Sequence, residues 1–261
     1  MGASCCTSPC QKIDNFMNNC MFMPPNVNLD IIPIIGSDPH TNLNTIDNND
    51  EKISFYSVNN NYNTRKWIVF SHGNAATIFD YYYYAKRLST VLSVNCIFYD
   101  YPGYGFSTGT PTEEACIETL EQIISHMMIT MKIPMNDIIL IGQSIGTGVT
   151  VSYAHKHHWL SPIILISPYK TIVSIITESS SFITQYVDKF MSLKNIAEMD
   201  CPVKIFHGTK DNVIPISHGK ALAAARKNKT FEPVWLDGIG HNDILDNISM
   251  KDLAEVINYE N

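Results

Sequence analysis

The sequence predicts an α/β fold, with a mostly parallel central sheet and helices on both of its faces. Short runs that are apolar throughout recur along the chain, and segments of helical length separate them. A strand that is apolar on both sides indicates a sheet covered on both faces, as parallel sheets are. Repeated strand–helix–strand order supplies the crossovers that such a sheet needs. The 261 residues suffice for one large domain of this class.

The predicted strands begin after an Asn-rich and Cys-rich start. We therefore assign residues 1–50 to an N-terminal anchor and lead-in, and residues 51–261 to the catalytic domain. Residues 53–58 alternate apolar and polar side chains, which is typical of an antiparallel strand. Buried strands are predicted at 67–70, 96–99, 138–141, 163–166, 203–206 and 234–236.

Helices are predicted between these strands. They lie near 76–91, from Thr110 onward, and near 145–158, 215–228 and 246–259. Thr110 is predicted as the N-cap of its helix, with Pro111 in the first turn and Glu113 completing a capping box. The long connection 169–200 predicts two small helices, a short insertion instead of a large lid.

Composition and charge argue against several classes of function. The formal net charge is −7, so no basic surface for nucleic acid is expected. No apolar run reaches the roughly 18 residues of a membrane-spanning helix, and the start lacks the features of a secretory signal. The seven cysteines are irregularly spaced, which indicates a reducing compartment rather than a disulfide framework.

The run Gly142 to Gly146 fits the G-x-S-x-G nucleophile elbow, with Ser144 as the nucleophile. The run lies between a predicted buried strand and a predicted helix, and this context specifies the α/β-hydrolase fold. Its glycines allow the sharp turn that exposes the serine hydroxyl. The backbone N–H of Ile145 is then one oxyanion donor. Because so short a pattern also occurs by chance, the assignment depends on finding a base and an acid.

Asp211 and His241 each follow directly after a predicted strand, in the order that this fold requires after its serine. We expect His241 to take the proton of Ser144, and Asp211 to orient the imidazole and stabilise its cation. Asp237 and Asp243 are competing acids, but both are too close to His241 in sequence for the usual geometry. The sequence therefore predicts a Ser-His-Asp triad.

A second oxyanion donor is predicted after the strand at 67–70. The run Ser71 to Ala75 fits the His-Gly turn of this fold, and the backbone N–H of Asn74 is the first choice, with Ala75 close behind. Loss of one such donor costs about 3 kcal/mol in the activation barrier.

The sequence predicts no metal and no organic cofactor. The run His155 to His158 lies at a predicted helix end, where basic side chains complement the helix dipole. The tyrosines from Tyr81 to Tyr84 are distributed around a predicted helix, so most of them are expected to pack.

The first ten residues predict lipid attachment. Gly2 begins a near match to the N-myristoylation pattern, with Cys6 where the pattern has Ser or Thr. Cys5, Cys6 and Cys10 are candidates for S-acylation. One acyl chain binds membranes only marginally, and the first twenty residues hold a single basic side chain, so stable attachment requires several chains. The alternative is an unmodified tail with exposed thiols.

Taken together, these motifs resemble those of the α/β-hydrolase domain-containing protein 17 group of protein depalmitoylases. The resemblance spans about residues 55–250 and is carried by six runs in order: 71–75, 99–105, 142–147, 207–211, 217–219 and 240–243. It implies Ser144, Asp211 and His241 as the triad. It also implies hydrolysis of thioesters on S-acylated proteins at the cytosolic face of membranes, such as the plasma membrane.

Three functions remain open at this stage. The first is an acyl-protein thioesterase, held on the membrane surface by its N-terminal acyl chains, with S-acylated proteins as substrates. The second is a carboxyl ester or monoacylglycerol lipase, which needs the same triad. The third, from another class, is a catalytically silent interaction protein attached to membranes.

Overall fold

The computed structural model describes residue 18 and residues 21–48, 51–60, 64–176 and 189–260. The predicted lipid sites Gly2, Cys5, Cys6 and Cys10 lie outside the described residues. Within the described ranges, no helix combines the length and apolar character that crossing a bilayer demands.

One sheet organises the described part of the chain. Its eight strands are β1 (Thr41–Asn48), β2 (Glu51–Val58), β3 (Trp67–Ser71), β4 (Asn95–Tyr99), β5 (Ile138–Gln143), β6 (Ile163–Ile166), β7 (Val203–Gly208) and β8 (Val234–Leu236). They are ordered β1-β2-β4-β3-β5-β6-β7-β8. The pairs β1–β2 and β2–β4 are antiparallel, and the pairs from β4 to β8 are parallel. The predicted mostly parallel sheet is therefore confirmed.

The described helices are α1 (Ile32–Ser37), α2 (Tyr82–Leu92), α3 (Glu113–Ser125), α4 (Ile145–Lys156), α5 (Ile172–Ile176), α6 (Ser192–Glu198), α7 (Ile216–Ala225), α8 (Ile244–Asn247) and α9 (Met250–Ile257). Two of them, α5 and α6, lie in the connection from β6 to β7, as the sequence predicted for 169–200. Residues 177–188 of that connection lie outside the described residues.

The prediction that Thr110 caps α3 is wrong. The N-cap is Thr112, whose hydroxyl accepts the backbone N–H of Ala115 at 3.0 Å. Thr112 has the extended conformation that an N-cap needs (φ −134°, ψ 166°), and Glu113 and Glu114 then fall in the first turn, where carboxylates favour the helix dipole. The Thr-x-x-Glu spacing from Thr110 is coincidental.

Part of the range predicted as lead-in contributes to the sheet. Strand β1 lies within residues 1–50 and pairs with β2 from Thr41↔Val58 to Asn48↔Glu51. Before it, the side chains of Met21 and Phe22 are buried.

The two faces of the sheet form two apolar clusters, because successive side chains of a strand point to opposite sides. On one face, Val69 and Leu140 pack with α3, α4, α6 and α7. On the other, Phe70 and Ile141 pack with α1, α2, α8 and α9. The parallel strands end at one common edge, and the loops that follow them bring the predicted site residues together.

Candidate active site

Ser144 occupies the turn between β5 and α4. Its backbone has φ 51° and ψ −120°, a conformation that costs a non-glycine residue about 1–3 kcal/mol. The turn is held by two backbone hydrogen bonds, from the Ser144 N–H to the Ile166 carbonyl and from the Thr147 N–H to the Ser144 carbonyl, each 2.9 Å long. A strained residue that a neighbouring strand and the following helix fix in this way is a feature of functional turns.

Close packing requires the two glycines beside Ser144. A Cβ on Gly146 would collide with the carbonyl oxygen of Ser71, and a Cβ on Gly142 would collide with the carbonyl of Gly146. Glycine at these positions lets the first turn of α4 approach the end of β3. The turn that bears Ser144 therefore lies against the loop that begins at Ser71.

Hydrogen bonds connect Ser144, His241 and Asp211. The Nε2 atom of His241 lies 3.0 Å from Oγ of Ser144, and its Nδ1 atom lies 2.7 Å from Oδ2 of Asp211. A carboxylate only accepts, so Nδ1 carries the proton and donates it to Asp211. Nε2 is then the acceptor that faces the serine hydroxyl, which is the arrangement a general base needs.

Asp211 is held in its charged form by its neighbours. Burial opposes its ionisation, but the hydrogen bond from His241 and the N–H groups of Ile214 (2.8 Å) and Val213 (3.0 Å) outweigh it, so the pKa of Asp211 lies below its ordinary value. Of the competing acids, Asp237 instead accepts from the hydroxyl of Thr209.

Two further histidines, His207 and His218, lie near Asp211, and no role was predicted for either from the sequence. His207 donates from Nε2 to the carbonyl of Ile214 at 2.8 Å and lies 3.5 Å from Asp211. Burial lowers the pKa of His207, and it lowers that of His218 to about 4. Both are therefore neutral near neutral pH, and His207 serves to fix the loop that carries Asp211. The sequence feature that could have indicated this role is the position of His207 four residues before Asp211.

The loop after β3 brings Asn74 to the serine. Asn74 and Ile145, the two predicted oxyanion residues, line the same cleft as Ser144. Tyr81 connects the loop to the elbow, since its hydroxyl accepts the N–H of Gly73 (3.2 Å) and donates to Oε1 of Gln143 (2.7 Å). The oxyanion side and the nucleophile side of the site are thus joined through one phenol.

Behind this loop lies a fully buried polar pair, His72 and Asp100. Nδ1 of His72 donates to the carbonyl of Gly73 at 2.7 Å, and the backbone N–H of Ile78 donates to Oδ1 of Asp100 at 2.9 Å. Burial lowers the pKa of His72 to about 4 and raises the pKa of Asp100 to about 8. At neutral pH the pair is mostly uncharged, which suits its position inside the core.

A cleft of about 450 Å³ opens directly at Ser144 and His241. Its walls are largely apolar and include Met21, Met23, Ile172, Ile175 and Val213. The sequence did not indicate that the segment around residue 21 would form part of these walls. A cleft of this size and character suits an aliphatic chain attached to a reacting carbonyl.

The run from His155 to His158 at the end of α4 contacts carboxylates at the surface. His155 contacts Glu198 at 2.8 Å, and Lys156 contacts Glu121 at 2.9 Å. In the part of the chain that the structure describes, no three His, Cys, Asp or Glu side chains are grouped as metal ligands.

Comparison with known proteins identifies the family. Residues 105–261 match the phospholipase/carboxylesterase family. A putative alpha/beta hydrolase of Acanthamoeba polyphaga mimivirus is 46% identical over 201 residues, which cover 77% of this chain and 76% of the relative. The chain belongs to this family of α/β hydrolases. The hydrolase is also similar to alpha/beta hydrolase domain-containing protein 17C of Xenopus tropicalis, at 36% identity over 69% of the chain.

This second similarity confirms the predicted resemblance. The matched region spans 57% of the length of the Xenopus relative. The predicted α/β-hydrolase fold is confirmed as well. The crystal structure of an alpha-beta hydrolase from Vibrio vulnificus superposes with a TM-score of 0.73 at 16% identity, over 92% of this chain and 90% of that one.

Proposed function

We propose that this hydrolase cleaves acyl thioesters and removes fatty acyl groups from the cysteines of S-acylated membrane proteins. The observation that carries the proposal is the junction of an apolar cleft with a hydroxyl already paired to His241. An acyl chain lying in the cleft places its carbonyl at Ser144. The resemblance to the protein depalmitoylases supports a thioester as the bond that is cleaved.

The proposed reaction has two halves. Ser144 attacks the thioester carbonyl while His241 takes its proton, and the N–H groups of Asn74 and Ile145 stabilise the oxyanion. The cysteine leaves as a thiolate with little assistance, because an unperturbed thiol has a pKa of about 8.5. Water, activated by His241, then cleaves the acyl-enzyme and releases the fatty acid.

A fluorophosphonate probe tests whether the protein is a serine hydrolase. We expect wild type to be labelled and Ser144→Ala to remain unlabelled, while Ser152→Ala, a serine of α4 away from the turn, keeps the label. Absence of labelling in wild type would contradict every hydrolytic proposal. It would favour a catalytically silent interaction protein attached to membranes.

A carboxyl ester or monoacylglycerol lipase is the second candidate, and the phospholipase/carboxylesterase family match favours it. Rates on an S-acylated peptide and on a monoacylglycerol of the same chain length separate the two. The thioesterase proposal predicts the higher kcat/KM on the peptide. A clear preference for the glyceride would replace the thioesterase proposal with the lipase.

Cysteines at the N-terminus support the proposed location. Acyl chains at Cys5, Cys6 and Cys10, with or without a myristoyl group on Gly2, would hold the enzyme as a peripheral protein at the cytosolic face of membranes. Its substrates are held by the same kind of modification, so enzyme and substrate would share one surface.

A further inference from the structure

The side chain of Asn74 pairs with the backbone of residues 21–23 as one peptide group pairs with another. Its Nδ2 donates to the carbonyl of Met21 at 2.7 Å, and its Oδ1 accepts the N–H of Met23 at 3.0 Å. The hydroxyl of Tyr104 donates to the same Oδ1 at 2.6 Å and also accepts from the Met23 N–H, 2.9 Å away. The partners fix the amide orientation, because Met21 presents an acceptor and Met23 a donor.

Apolar contacts hold this segment in place. Met21 is 8% exposed and Phe22 is 4% exposed. The ring of Phe22 packs edge-on against Phe190, with centroids 6.5 Å apart, and Phe190 lies in the connection between β6 and β7. Residues 21–23 therefore bridge the two sides of the cleft, from the loop after β3 to the connection after β6.

The hydrogen bonds of this segment converge on the side chain of one residue, Asn74. The N–H of Asn74 is the proposed oxyanion donor, and its direction depends on a loop that enters the left-handed region at Ala75 (φ 53°). Side-chain bonds from Asn74 to two backbone groups and a buried phenol restrict that loop. An oxyanion donor acts through its preorganised direction, and losing one lowers kcat about 10²- to 10³-fold.

We propose that residues 21–23, the Asn74 amide and the Tyr104 hydroxyl form a latch that aims the Asn74 N–H at the developing oxyanion. The amide and the hydroxyl are positioning groups, since they act through that N–H. The proposal rests on the serine hydrolase function proposed above and adds a requirement for the N-terminal segment. It makes catalytic rate, rather than affinity for the acyl chain, the property that the segment controls.

A segment that only lines the cleft would have a different effect on the kinetics. If residues 21–23 only lined the cleft, their loss would raise KM for long acyl chains and leave short ones unaffected. An acetyl group has only one methyl to bury against such a wall, so it depends on the wall far less than a long chain does. The turnover of p-nitrophenyl acetate therefore separates the latch from the wall.

The first test is Tyr104→Phe in the full-length protein, with Tyr83→Phe as the matched control, because Tyr83 is 66% exposed on α2. We expect kcat for p-nitrophenyl acetate to fall about fivefold in Tyr104→Phe, the equivalent of one lost hydrogen bond, with KM within about twofold of wild type. The fluorophosphonate labelling rate should fall in parallel. Tyr83→Phe should match wild type.

The second test approaches the latch from its other side. Met23→Pro removes the N–H that both acceptors share, and Met23→Ala is its reference, because it removes the side chain and keeps the N–H. The latch predicts a kcat for p-nitrophenyl acetate about tenfold lower in the proline variant than in the alanine variant. If Tyr104→Phe does not fold, the comparison of Met23→Pro with Met23→Ala tests the latch on its own.

Equal kcat values within each pair, in a wild type that labels normally, would overturn the latch and leave the proposed function standing. A defect confined to KM for long-chain esters would also overturn it, in favour of the wall. A wild type that neither labels nor turns over p-nitrophenyl acetate would overturn both proposals together.

Discussion

At the scale of single residues, the chemistry of the site depends on the protonation state of each buried group. The Asp211 carboxylate fixes the proton of His241 on Nδ1 and leaves Nε2 free to face the Ser144 hydroxyl at 3.0 Å. Farther inside, Asp100 is held mostly protonated by burial, next to a neutral His72. Of these two aspartates, Asp211 is charged because it receives several hydrogen bonds, whereas Asp100 is mostly neutral because its desolvation dominates.

Asp211→Asn should lower kcat about 10³- to 10⁴-fold, with little effect on the fold. An amide facing Nδ1 can donate, which favours the tautomer whose proton lies on Nε2 and points at Ser144. Steady-state kinetics with an acyl ester check this. Asp237→Asn is the control, because Asp237 is exposed and bonded to Thr209, and it should retain near wild-type kcat. A larger loss of kcat in Asp237→Asn than in Asp211→Asn would instead identify Asp237 as the acid of the triad.

Asp100→Asn should flatten the pH dependence of stability. The raised pKa of about 8 means that folded Asp100 keeps a proton that the unfolded chain releases above its ordinary pKa of 3.8. Its stabilising contribution is complete below the unfolded value and is lost as the pH rises toward the folded value. The slope reaches at most about 1.4 kcal/mol per pH unit in wild type.

Denaturant unfolding at about pH 5 and about pH 8 measures this effect. The amide of Asp100→Asn still accepts the Ile78 N–H and does not titrate, so its free energy of unfolding should fall less than that of wild type across the interval. Parallel pH profiles for the two proteins would show that Asp100 is charged in the folded state.

At the scale of elements, the site depends on how closely helix α4 meets strand β3. Gly146 lies in the first turn of α4, and its α-carbon approaches the carbonyl of Ser71 at the end of β3. The same contact fixes the distance between the nucleophile turn and the oxyanion loop. Gly146 therefore determines both how closely α4 packs against β3 and how far the nucleophile turn lies from the oxyanion loop.

Gly146→Ala should destabilise the protein by about 1–3 kcal/mol through overpacking and lower kcat at least about tenfold, because Ile145 must shift with its helix. Thermal unfolding and ester kinetics measure the two effects. Gly36→Ala is the matched control, since nothing lies within 4 Å of an added Cβ in α1. A Gly146→Ala variant as stable and active as Gly36→Ala would contradict the described contact.

The buried elements and the order of the site residues were predictable from the sequence, for physical reasons. Buried strands appear as largely apolar runs, and Ser144 and Asp211 each follow one of them. His241 follows β8, which was predicted to be buried but is only half-buried because it lies at the edge of the sheet. Strand β1 was not predicted, because its Thr, Asn and Asp side chains are mostly exposed and backbone pairing with β2 alone defines it. The contacts of Asn74 were equally hidden, since two of its partners are the backbone groups of Met21 and Met23, which no side-chain pattern marks, and the third is the distant Tyr104 hydroxyl.

At the scale of the whole molecule, attachment to membranes is predicted to depend on the N-terminal cysteines. Replacing Cys5, Cys6 and Cys10 together by Ser should move the protein from the membrane fraction to the soluble fraction of cells, because one remaining acyl chain binds only marginally. Gly2→Ala tests the myristoyl group separately and should produce at most a partial shift. Unchanged membrane association of the triple variant would contradict lipid anchoring through these residues.

The position of Met21 on the cleft wall limits how far the cleft can lie from an acylated cysteine near the N-terminus. Eleven peptide units separate Cys10 from Met21, and a chain of that length spans at most about 40 Å when fully extended. An acyl group on Cys10 would therefore tether the cleft to within a few nanometres of the bilayer. Cysteines deeper in the cytosol would escape cleavage whatever their surrounding sequence, so distance from the membrane, rather than side-chain recognition, would be the first filter on substrates.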